Sequence, residues 1–62
     1  MNKIVEERRE QLENRINTAK NNLKILEKRL NNEKYDYEDI KFQIEYTKNY
    51  IGQQEYYLNL LN

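Results

Sequence analysis

The sequence predicts an all-α protein: an antiparallel two-helix hairpin of coiled-coil type that self-associates into a helical bundle. Three observations carry that prediction. Apolar side chains recur with a seven-residue period, the chain has no proline and holds its single glycine back to position 52, and the sign of the charge reverses midway along it.

The repeat runs through Leu12, Ile16, Ala19, Leu23, Leu26 and Leu30, then through Tyr37, Ile40, Ile44, Thr47, Ile51, Leu58 and Leu61. Spacings of three and four bring these residues to one side of an α-helix, because 3.5 residues per repeat nearly matches the helical turn. Such a stripe must be covered by another helix. The expected helix–helix core is therefore Leu12, Ile16, Ala19, Leu23, Leu26 and Leu30 from the first half, with Ile40, Ile44, Ile51, Leu58 and Leu61 from the second.

An interruption is expected at Asn31-Asn32-Glu33-Lys34-Tyr35-Asp36. Asparagine tolerates the left-handed conformation that ends helices, and Asp36 can cap a new helix by accepting hydrogen bonds from the amides of its first turn. Lys28 and Arg29 lie where a first helix presents its negative C-terminal dipole end. Asp36, Glu38 and Asp39 lie where a second presents its positive N-terminal end. These signals place helix 1 at about 3–31, the turn at about 32–35 and helix 2 at about 36–61, all within one domain spanning 1–62.

Residues 1–32 hold eight basic and five acidic side chains, a net of +3, and residues 33–62 hold three basic and six acidic, a net of −3. Folding one half onto the other pairs opposite fields. A tight turn is expected to bring Arg29 near Asp36 and to set Arg15 and Arg8 beside Tyr50 and Tyr57, where a guanidinium can stack on a ring. The alternative is one uninterrupted helix in a coiled coil, a rod of about 93 Å at 1.5 Å per residue, since the heptad phase continues through the middle of the chain. In a parallel homodimer of such rods Arg15 would meet Lys20 and Arg29 would meet Lys34, which argues against it.

The two halves differ in their outer surfaces. Helix 1 sets Asn14, Asn21 and Lys28 opposite its stripe, with Ile25 the outlying apolar residue. Helix 2 carries Phe42, Tyr46, Tyr50, Tyr56, Tyr57 and Leu60 outside its stripe, and all seven aromatic residues lie at or after Tyr35. A helix apolar on more than one side expects more than one neighbour. Tyrosine and phenylalanine supply large contact area at low entropic cost and concentrate in interface cores. Phe42, Tyr46, Tyr50, Tyr56 and Tyr57 are accordingly the expected partner-binding residues.

Composition narrows the function classes. Sixty-two residues, 37% hydrophobic and 35% charged, make one small domain near the size where a single core barely offsets the entropy of ordering, so oligomerisation is the expected support. Histidine, cysteine and serine are absent, which removes the commonest metal ligand and general base, every thiolate and every Ser-based triad. No catalytic, metal or cofactor site is expected, and an enzyme is not.

The carboxylates of Glu6-Glu7 and of Asp36 to Asp39 sit at helix starts, where the dipole accounts for them. Arg8, Arg9, Arg15 and Lys20 could touch phosphate, but Glu6, Glu7, Glu10 and Glu13 are interspersed with them and the net charge is zero. Nucleic acid is therefore a remote third choice of partner, reached by a dimer adding two weak patches. Gly52 is expected to mark a close helix approach or a weak point within helix 2.

No apolar run approaches the length of a membrane span, and the first residues lack a signal-peptide core, so a cytoplasmic location is expected. The wealth of Asn, Lys, Ile and Tyr points to an AT-rich coding sequence, as in low-GC bacteria, their phages and plasmids. The expected function is that of a small interaction protein that binds itself and a larger protein through the aromatic side of helix 2. A scaffolding coiled coil whose partner is itself is the alternative.

Overall fold

A computed structural model describes residues 2–62 as two helices, α1 (Lys3–Arg29) and α2 (Tyr37–Leu60), folded against each other as an antiparallel hairpin. Its extents of 51 × 14 × 11 Å are those of a flat two-helix ribbon, which rules out the rod. No helix among the described residues is long and apolar enough to cross a membrane.

Each helix opens on a side-chain cap. Asn2, with extended backbone, accepts the Ile4 N–H on its Oδ1 at 2.9 Å, and Asp36 does the same for Glu38 N–H at 3.0 Å. These acceptors satisfy amides that the helix itself leaves without partners. Lys28 and Arg29 close α1, and Glu38 and Asp39 open α2, so the dipoles are complemented at the turn.

The turn is made differently from the expectation. No residue among those described has a positive φ, so no asparagine adopts the left-handed conformation. Leu30 instead continues in the right-handed region, donating its N–H to Leu26 O. Two tight turns then follow, Asn32 N–H to Arg29 O at 3.0 Å and Tyr35 N–H to Asn32 O at 3.1 Å, while Asn32 Oδ1 accepts Lys34 N–H. Asn32 acts through its short polar side chain, which folds back on the local backbone. Because these turns begin at Arg29, α1 ends two residues before the expected limit at 31, and α2 begins after its cap at Asp36.

Two apolar clusters fill the seam. Near the turn, Leu26, Ile40 and Ile44 are buried, with Leu23 and Leu30 packed on them. Farther out, Ile16, Ala19 and Ile51 are buried, with Leu23, Tyr50 and Leu58 against them. Leu23 belongs to both and joins them. Leu12 is the most completely enclosed side chain, at 1% exposure. Thr47 takes the heptad position between Ile44 and Ile51, where its hydroxyl donates to Gln43 O at 2.8 Å, so its own donor is paired.

Other expectations need correction. Tyr37, in phase with the stripe, is exposed at 53%: it is the first residue of α2, and α1 has already ended opposite it. Gly52 does not mark a close approach, since a Cβ built there would meet nothing within 4 Å. The guanidinium–ring contact among the described residues is Arg29 over Tyr35, 5.1 Å from the ring centroid, and not Arg15 or Arg8 on Tyr50 or Tyr57. The ion pair among the described residues is Lys20 with Glu55 at 3.8 Å, half-exposed and worth little, and not Arg29 with Asp36.

Candidate functional site: a two-sided helical ribbon

In an antiparallel pair, residues one place before a seam position lie on one broad side of the ribbon for both helices. Residues one place after lie on the other. Two surface grooves, one on each side, follow this rule. Arg15, Thr18 and Asn22 share the first with Tyr46 and Tyr50. Lys20, Lys24 and Glu27 share the opposite one with Lys48, Gly52 and Glu55.

The two sides differ sharply in chemistry. The second is polar from end to end, with Glu6, Glu13, Lys20 and Glu27 on α1 and Lys41, Lys48 and Glu55 on α2. The first carries Ile4, Ile25, Tyr46, Tyr50, Tyr57 and Leu60, together with Arg8, Arg15 and Arg29. Thus the ribbon has an arginine- and tyrosine-rich broad side and a solvated one.

The arginine–tyrosine side is also concave at its centre. Small residues at Thr18, Ala19 and Thr47 leave a groove of about 490 Å³ between the helices, bounded by Arg15 on α1 and by Tyr46 and Tyr50 on α2. Tyr46 is 68% exposed on its rim, whereas Tyr50 is half-buried against the outer apolar cluster.

Of the remaining expected partner-binding residues, Tyr57 is 39% exposed beside Tyr56, their rings tilted at 59° with centroids 5.9 Å apart, and Gln53 donates to the Tyr57 hydroxyl at 3.3 Å. Phe42 and Tyr56, exposed at 70% and 61%, stand fourteen residues apart on the outer edge of α2, about 21 Å along its axis. The five residues therefore do not form one patch: Tyr46, Tyr50 and Tyr57 face the groove side, and Phe42 and Tyr56 the outer edge. All eleven expected core residues are buried or half-buried.

Two seam residues were hidden by their polarity. Gln54, three after Ile51 and four before Leu58, is 6% exposed and its Oε1 has no hydrogen-bond partner. Arg9, three before Leu12, is half-buried, with an unpaired Nε and with Nη2 donating to Leu61 O at 3.2 Å. Counting the heptad through polar residues is the signal that finds both.

No group of three or more carboxylates among the described residues is arranged to hold a metal ion. The exposed rings of this surface offer apolar area to bury, and its arginines offer hydrogen-bond donors. No protein family matches this chain, and neither a curated protein nor a solved structure gives a significant match.

Proposed function

We propose that this chain is a non-enzymatic protein–protein interaction module, a helical hairpin that binds and modulates a larger protein through the aromatic residues of α2. The supporting observation is the exposure of Phe42, Tyr46 and Tyr56, each above 60%, on a helix whose seam is already filled by Ile40, Ile44 and Ile51. These rings contribute little to the hairpin's own core, and leaving them in water forgoes burial worth roughly 1.5 to 3 kcal/mol for a large apolar side chain.

The test is affinity capture from the native host with the chain as bait, run beside the variant Phe42→Ser/Tyr56→Ser. A protein held by the parent and released by the variant supports the reading. Equal capture by both, or none by either, removes it.

A second reading, self-association as the end in itself, is favoured by the contrast between the two broad sides of the ribbon. A layer polar on one face and aromatic on the other stacks on a like layer. An open-ended series of masses would mark a scaffold, and a closed dimer would leave the edge of α2 free for another protein.

A further inference from the structure

We infer that the arginine–tyrosine side is covered by a second copy of this chain, in a four-helix bundle whose twofold axis runs parallel to the hairpin's long axis. The inference rests on the reading of the aromatic residues as an interface and divides them. Tyr46, Tyr50 and Tyr57 serve the self-contact, and Phe42 and Tyr56 remain on the outer edge for a larger protein.

Area supports the second copy as occupant. A face 51 Å long and 14 Å wide presents about 700 Å², close to the roughly 800 Å² per partner of a stable interface. Composition supports it too, since arginine and tyrosine are the residues enriched in interface centres, while the opposite side holds the lysines and glutamates that such centres exclude.

Charge selects the axis. A twofold along the helices sets α1 of one copy on α2 of the other and preserves level along the ribbon. A twofold across the helices sets α1 on α1 and opposes two basic halves of net +3. Arg15 and Tyr50 line one groove and Arg29 and Gln43 another, so the members of each pair are close along the ribbon without being level. The longitudinal axis therefore brings Arg15 near the partner's Tyr50, within reach of a long side chain, where the guanidinium can stack. It also brings Arg29 into the neighbourhood of the partner's Gln43, whose side-chain carbonyl can accept from it. Tyr46, exposed on the groove rim, faces the small residues Thr18 and Asn22 of the other copy.

Sedimentation equilibrium of the full chain tests the contact. A closed dimer is expected, and Tyr46→Lys is expected to weaken it at least thirtyfold, the scale of a central aromatic anchor, while remaining helical. Tyr46 is exposed, so this variant does not disturb the seam. A parent that stays monomeric to millimolar concentration overturns the inference, as does undiminished dimerisation of Tyr46→Lys.

Cross-linking tests the axis. On mixing a Thr18→Cys chain with a Gln53→Cys chain under mild oxidation, the mixed disulfide is expected to exceed both homodisulfides. Predominance of the Thr18→Cys homodisulfide would place α1 on α1 and refute the arrangement. A parent chain that stays monomeric yet captures a larger protein would sink the self-contact alone. Loss of that capture in Phe42→Ser/Tyr56→Ser with the dimer unchanged is the result expected if both readings hold.

Discussion

Arg9 donates from Nη2 to the main-chain oxygen of Leu61 at 3.2 Å, joining residues 52 positions apart at the open end of the hairpin. The bond falls where the apolar seam gives out. Leu61 is the C-cap of α2, and its carbonyl is among those a helix leaves without an internal donor. A cation there also complements the negative end of the helix dipole, which has no basic residue in its own last turn.

Arg9→Ala should therefore cost about 1 kcal/mol, the usual net value of a hydrogen bond, and should do so locally. Amide hydrogen exchange checks this: protection of Leu58 to Leu61 should fall while that of Ile40 and Ile44 is unchanged. Uniform loss along both helices would show that the contact acts on the whole fold instead.

Gln54→Leu should stabilise the hairpin by about 1 to 3 kcal/mol, because it replaces a buried carbonyl that has no partner with an apolar group of similar volume. Thermal unfolding at equal chain concentration measures it. A lower melting temperature would mean that Gln54 is satisfied in solution.

The seam was legible because each heptad position from Leu12 to Leu30 and from Ile40 to Leu61 obeys the same count, and one filled stripe needs one neighbour. Charge order at Lys28 to Asp39 located the reversal for an equally physical reason, the opposed dipoles of two helix ends. The conformation of the turn was not legible: asparagine can end a helix by a left-handed residue or by side-chain bonding, and local sequence does not choose between them. Nor was the division of the aromatic residues, since helix 2 alone looks apolar nearly all round. The two broad sides become distinct once α1 is laid beside it and fixes which neighbours of the seam share a surface.

Gly52→Ala should raise stability by about 0.5 to 1 kcal/mol, because glycine in a helix interior carries extra chain entropy into the unfolded state and a Cβ here meets nothing. Chemical denaturation gives the value directly. Because Gly52 lies on the polar side, dimer mass should not change; a weaker dimer would mean that this side, too, is covered.

Asp36→Ala and Asn2→Ala remove the same kind of cap, one side-chain oxygen accepting the amide two residues on, at 3.0 and 2.9 Å. Their consequences should differ. Asn2 opens a first turn whose Ile4 is 76% exposed, so the loss frays a turn that few contacts hold. Asp36 fixes the start of α2, and Ile40, four residues later, is 3% exposed in the cluster nearest the turn. Fraying there pulls a core residue from its place. Asp36→Ala should cost about 1 to 2 kcal/mol and Asn2→Ala no more than about 0.5, within the range measured for helix N-caps. Denaturant unfolding of the two variants side by side decides it, and equal losses would show that the turn is held by the Asn32 and Arg29–Tyr35 contacts rather than by the cap.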